Sequence, residues 1–194
     1  MAELSDKEKL FNSLILEWNK KINLVSRKRT DVHELIEDSK TFFDYLDFTK
    51  KPRVLDLGTG GGFPGIVLKI HHPEIRLTLL DSIRKKINAV TDIVQRLELQ
   101  DVEIICFRAE DLSRLPNYRN SYDYVVARAV ATLYLLTKWS KDLLKPGGKL
   151  LTIKGGENLK NEIRMVNKQK FVKVLNIFEK NDNQILSVEF NNSK

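Results

Sequence analysis

Residues 56–65 read Asp-Leu-Gly-Thr-Gly-Gly-Gly-Phe-Pro-Gly and hold five of the chain's nine glycines. Glycine has no Cβ, so such crowding lets the backbone turn sharply and approach a bound group closely. Gly60, Gly62 and Gly65 also match the dinucleotide fingerprint, with Asp81 about twenty residues on, where a ribose-binding acid is expected. Three features favour S-adenosylmethionine over a nicotinamide dinucleotide. Asp56 lies inside the strand before the glycines, and a carboxylate there suits an amino group and a sulfonium better than a pyrophosphate. Arg108-Ala-Glu-Asp111 follows the third strand, beside the adenine position. The chain also ends in two strands with no helix between them, unlike a dehydrogenase. In this reading Gly58 admits the methionine part and Asp81 accepts from the ribose hydroxyls. Ser82 and Ile83 flank the adenine, and Ala109 and Glu110 meet its edge. Arg128 and Lys154 end strands four and five, where this class of sheet opens toward its substrate.

The elements that position these residues follow from periodicity. Ser5-Asp-Lys-Glu8 is a capping box, and Leu10, Phe11, Leu14, Ile15, Trp18 and Ile22 continue it at helical spacing. A second helix is predicted over 31–46. Short apolar runs predict strands at 53–57, 76–81, 102–107, 121–127 and 149–154. Helices at 65–71, 83–97 and 132–144 lie between them, an alternation that implies a parallel sheet with helices on both faces. A helix over 157–167 precedes strands at 171–178 and 184–190, joined by a turn at 181–183. The expected fold is α/β, a Rossmann-like methyltransferase with seven mostly parallel strands and a C-terminal antiparallel hairpin. Residues 1–50 are read as a helical extension packed on the core, and 51–194 as the catalytic domain, all in one compact unit.

The 194 residues carry a formal charge of +7, which favours an anionic partner, nucleic acid first. Five of the positive charges lie within residues 20–29, which contain no acid. The single cysteine, Cys106, forbids an intrachain disulfide, suits a cytoplasmic setting and reads as strand packing. No stretch has the length and apolarity of a membrane span. His33, His71 and His72 show neither triad nor metal spacing. A monomer without a metal is expected.

The strings Leu55–Ile66, Leu80-Asp-Ser82, Arg108-Ala-Glu110, Val126-Ala-Arg-Ala129 and Ile153-Lys-Gly155 together resemble the RsmG or GidB family of small-subunit ribosomal RNA methyltransferases. Trp18–Leu24 and Asp38-Ser39 resemble that family's opening segment. The resemblance implies methyl transfer from S-adenosylmethionine to N7 of one guanine in 16S rRNA, acting on the small ribosomal subunit or its assembly intermediate. It implies cofactor roles for Gly58, Phe63, Asp81, Ser82, Ile83, Ala109, Glu110 and Arg128. The segment Leu35–Lys40 departs from the family pattern. A histidine is missing, and an acid and a base replace apolar residues. Guanine N7 has a lone pair and no proton to lose, so alignment suffices and no general base or nucleophile is needed. The alternatives are a methyltransferase for another RNA or a small molecule, and a non-enzymatic module binding NAD or S-adenosylmethionine.

Overall fold

The computed structural model describes residues 3–180 and 183–191. Five parallel strands form its centre: β1 (Arg53–Leu57), β2 (Arg76–Asp81), β3 (Val102–Cys106), β4 (Tyr122–Arg128) and β5 (Leu144–Lys154). β6 (Val172–Lys180) and β7 (Asn183–Phe190) complete the sheet in the order β3-β2-β1-β4-β5-β7-β6. β7 runs antiparallel to both β5 and β6, as two strands without a crossover helix require. Of the predicted turn at 181–183, residues 181 and 182 lie outside the described residues.

Each strand sends alternate side chains to opposite faces, which divides the core. Val54 packs with α1 (Asp6–Asn19), α2 (His33–Lys40), α3 (Gly65–His71) and α4 (Arg84–Arg96) on one face. Leu55 and Leu57 pack on the other with α5 (Ala109–Leu112), α6 (Leu133–Ser140) and α7 (Leu159–Val166). Phe11, Ile15, Ile36 and Phe42 are fully buried in the first layer, so α1, α2 and the turn after α2 share one core with the sheet. Each such side chain contributes about 1.5–3 kcal/mol by leaving water.

The capping box forms, with Ser5 N donating to Glu8 Oε2 at 2.7 Å and Glu8 N to Ser5 Oγ at 3.4 Å. Glu8 then reaches inward, only 1% exposed, to Lys40 at 2.8 Å and His71 at 3.0 Å. Burial alone would raise its pKa. Hydrogen bonds from Lys40, His71 and Ser5 outweigh that and hold it at about 2. Lys40 also pairs with Glu37 at 2.7 Å. The acid and base that depart from the family pattern therefore satisfy each other, and one acid ties α1, α2 and α3 together.

Several expected boundaries shift. The second helix ends at Lys40 and continues as 3-10 turns at Thr41–Tyr45 and Phe48–Lys50, where β-branched and aromatic residues weaken an α-helix. The residues after Arg108 form the short α5, a helix for which the sequence predicts no span. α6 stops at Ser140 because Leu144 already pairs with Tyr122, and Lys145–Gly148 lies within β5 as an irregularity instead of preceding the strand. The apolar stripe of α4 begins at Ile87, since Ile83 is 48% exposed. Cys106 is half-buried on the edge strand β3, its Sγ 3.8 Å from the Ser82 carbonyl. Among the described residues no helix is long and apolar enough to cross a membrane.

Candidate cofactor and substrate site

The strand order reverses between β1 and β4, and the loops leaving these two strands meet at that switch point. Open α/β sheets bind ligands there. Gly58 follows β1 with φ +76°, and a Cβ added to it would lie 2.6 Å from Val130 Cγ1, beyond β4. The position therefore needs glycine for both conformation and space. Across from it Ala129 holds φ 54°, a left-handed conformation that a non-glycine residue rarely adopts.

The glycine loop is held from within. Gly58 N and Thr59 N both donate to Leu80 O at 2.8 Å, and Gly62 N and Phe63 N donate to Thr59 O at 2.7 and 3.2 Å. Gly60 N donates to Asp81 Oδ2 at 3.1 Å, and Gly65 N to Asp56 Oδ2 at 2.9 Å. From Gly58 to Phe63 every amide but that of Gly61 is thus already bonded inside the protein, so the loop that matches the dinucleotide fingerprint leaves few free donors for a pyrophosphate.

The two acids divide their work. Asp81, 8% exposed at the end of β2, accepts from Gly60 N and, through Oδ1, from Ile83 N at 2.9 Å. It still lines a cleft of about 280 Å³, where a carboxylate with further lone pairs can accept from ribose hydroxyls. Asp56 corrects the reading of the sequence. It is fully buried, lines neither cleft at this end of the sheet, and accepts from Thr59 Oγ1 at 2.7 Å and from Gly65 N. Its Oδ1 has no partner in its buried setting. Burial pushes its pKa up to about 7, against the pull of Thr59 and Gly65 and with a push from Asp81. It fastens the loop from behind.

The cleft of about 280 Å³ also brings together Gly58, Ser82, Ala109 and Glu110. Sequence reasoning missed Phe107, Trp139, Val130 and Lys86, which line it too. Phe107 and Trp139 give it aromatic surface, suited to a flat base. Ile83 does not line it. Its backbone is held by Asp81, and its side chain lies exposed outside.

A second cleft, of about 260 Å³, shares Gly58, Lys86 and Ala129 with the first. Phe63 and Arg128 line it, opposite Leu24, Ser26, Arg29 and Leu35 from the N-terminal segment. Phe63 is only 5% exposed and packs against Phe11, with ring centroids 5.0 Å apart, so it also belongs to the core. Arg128 pairs with Asp38 of α2 at 3.0 Å, which aims a cation at this cleft. Lys154 is a second correction. Its ammonium donates to the Ala131 carbonyl and pairs with Glu162 at 3.1 Å, and the side chain is 14% exposed. It braces the loop after β4 against α7 and lines neither cleft. Among the described residues no group of histidine, cysteine and acidic side chains could hold a metal ion.

The two contiguous clefts suit a ligand with a flat base, a ribose and a charged tail, bent across Gly58. Asp81, Ser82, Ala109 and Glu110 would hold the nucleoside, and Phe63 and Arg128 the tail.

Solved structures share the architecture. An S-adenosylmethionine-dependent methyltransferase of Aquifex aeolicus is similar with a TM-score of 0.63 at 18% identity, covering 96% of this chain and 99% of that one. Among curated proteins, ribosomal RNA small subunit methyltransferase G of Mycoplasma capricolum is 38% identical over 191 residues, 93% of this chain and 78% of that protein. The namesake from Clostridium novyi is 40% identical over 149 residues, 75% of this chain, and the match spans only 60% of its own length. Residues 5–186 match the family described as GidB, rRNA small subunit methyltransferase G. The chain belongs to that family.

Proposed function

We propose that this chain transfers a methyl group from S-adenosylmethionine to N7 of a guanine in 16S rRNA, without a covalent enzyme intermediate. The observation that carries the reading is the pair of contiguous clefts around Gly58, one with Asp81 and aromatic walls, the other with Arg128, in a chain of this family. The donor, when bound, would supply a sulfonium methyl open to attack by the in-plane lone pair of N7, the S–CH3 bond breaking as the N–CH3 bond forms and S-adenosylhomocysteine leaving as a neutral thioether with no proton transferred. The protein's task is then alignment, and positioning of this kind can supply roughly 7–11 kcal/mol. Asp81 orients the ribose, Phe107 and Trp139 enclose the base, and Arg128 meets the donor carboxylate from a side chain that Asp38 already holds. Lys154 sets the loop at Ala131 and does not touch the substrate. Neither cleft needs a general base, in keeping with a nucleophile that carries no proton.

The reading includes a chain acting as a monomer in the cytoplasm on the small subunit or its assembly intermediate. The test uses unmethylated small ribosomal subunits and a donor with a labelled methyl group. Nucleoside analysis should show label in 7-methylguanosine from 16S rRNA alone. Label in another nucleoside, or in subunit protein, overturns the reading.

A further inference from the structure

Lys86 is the one cation that lines both clefts. Among the described residues its ammonium has no ion pair or hydrogen bond. It closes a run of three bases, Arg84-Lys85-Lys86, that opens α4 with no acid in the first turn. Cations at a helix N-terminus oppose the helix dipole, so these bases weaken the helix they begin. Folding gives them no purpose. Opposite Lys86, across the second cleft, lie Ser26 and Arg29 from the basic 20–29 segment. α1 and α4 are tied by Trp18 Nε1 donating to Asp92 at 2.7 Å and by Arg96 pairing with Glu17 at 2.9 Å. These ties hold the end of α1 at the C-terminal half of α4, and since Ser26 and Arg29 line the same cleft as Lys86, the connector runs from there back to the start of α4. Lys20, Lys28, Arg84 and Lys85 are exposed there and have no acidic partner among the described residues.

Charge balance at the junction points further. The donor carries a sulfonium, and guanine N7 becomes positive as it takes the methyl group. An ammonium left unbalanced beside them would oppose that step. The donor's own carboxylate has Arg128 in the second cleft. Lys86 therefore needs an anion that arrives with the acceptor.

We propose that the first turn of α4 and the 20–28 connector form the edge over which the RNA backbone enters, with Lys86 taking the phosphate of the target nucleotide. This rests on the RNA-methylating reading above. Lys86 is a positioning residue that holds the acceptor, and the outer four bases supply non-specific attraction to the strand.

The test measures binding of unmethylated small subunits against salt, methylation kinetics, and donor affinity by calorimetry. Lys86→Gln should lower the slope of log affinity against log salt by about 1. It should cut kcat/KM for the subunit roughly tenfold, leave the donor Kd unchanged, and be rescued by Lys86→Arg. Replacing Lys20, Lys28, Arg84 and Lys85 together with Gln should lower the slope by about 3, at about 0.7 per single-strand phosphate contact, and raise KM with kcat unchanged. Lys160→Gln/Arg164→Gln on α7 should keep the wild-type slope. A weakened donor Kd with an unchanged slope in Lys86→Gln would place that ammonium on the donor carboxylate and overturn the proposal. So would a loss of slope in the α7 pair alone. Wild-type protein that methylates subunits in the same assay keeps the enzymatic reading intact whichever way these variants fall.

Discussion

At the amino-terminal ends of the strands, clefts of about 260 and 360 Å³ open beside Lys50, Arg53, Arg76, Asp123 and Lys145. At the carboxyl ends, clefts of about 280 and 260 Å³ open around Gly58. Volume does not separate the two ends, but charge does. At the amino ends Lys50 pairs with Asp47 at 3.2 Å, Lys145 with Asp123 at 2.7 Å and Arg53 with Glu103 at 3.5 Å, which leaves Arg76 alone of these bases without an acidic partner among the described residues. At the carboxyl ends Arg84, Lys85, Lys86 and Arg108 form a cluster with no acidic partner among the described residues. Self-satisfied charges make a surface that folding alone accounts for. A cluster of unsatisfied charges beside a cleft calls for a ligand.

The largest break in this comparison should come from Arg128. Arg128→Ala should lower methylation about a hundredfold or more, the scale of misplaced reactants, while the circular dichroism spectrum stays native. Arg128→Lys keeps charge and loses the planar fork, so only part of the activity should return. Near-normal turnover in Arg128→Ala would remove the second cleft from the chemistry. Gly58→Ala should follow. Its Cβ meets Val130 at 2.6 Å and its φ is +76°, so the variant should lose about 1–2 kcal/mol from left-handed strain alone, read by denaturant unfolding. Donor affinity should fall about tenfold, because the switch point must open to admit the side chain. Adding Val130→Ala should relieve the contact but not the strain, giving partial recovery.

The strands were readable because short apolar runs between glycines, prolines and polar caps have few other uses. The antiparallel hairpin followed from topology alone. Gly58, Asp81, Ser82, Ala109, Glu110, Phe63 and Arg128 were readable as cleft residues because each sits at a strand end or in the loop beyond it. Asp56 was misplaced because its position in β1 does not reveal that Thr59 and Gly65 fold back onto its carboxylate. Lys154 was misplaced because its partners, Ala131 and Glu162, lie in separate segments. Phe107, Trp139 and Lys86 belong to three different elements and share no local motif, so only the fold brings them to one cleft. The short α5 and the 3-10 turns escaped because one turn of helix carries no period to detect.

Asp56 sharpens the comparison through pH. Its folded pKa of about 7 lies above its ordinary 3.8, so the protonated form is the one that folding favours. That contribution is complete below about pH 4 and is lost as pH rises through about 7. Unfolding free energy should therefore fall over this window. Asp56→Asn, which keeps a carbonyl oxygen for Thr59 and Gly65 and cannot ionise, should lack that part of the slope. Glu8 runs the other way. Its folded pKa of about 2 is depressed, so its contribution holds above about 4.5 and is lost as pH falls toward 2. Glu8→Gln should flatten the acid limb alone. Identical profiles for Asp56→Asn and wild type would mean that the loop tolerates the buried charge, and the contrast between Asp56 and Asp81 would lapse.

The smallest effect is expected at the other end of the sheet. Lys145→Ala removes the pair with Asp123, whose two side chains are 39% and 33% exposed. Solvent screens such a pair, so the loss should stay below about 1 kcal/mol. Asp123 would keep its structural bond, since Arg53 N donates to its other oxygen at 2.7 Å. Methylation rate, donor affinity and the salt slope for subunit binding should all match wild type. A change in the salt slope would show that RNA reaches around to the amino-terminal ends, and the paired charges there would have to be counted as part of the binding surface. Asp123→Ala provides the internal control. It leaves Arg53 N and Lys145 without their shared acceptor, and should cost more stability than Lys145→Ala while leaving the methylation chemistry untouched.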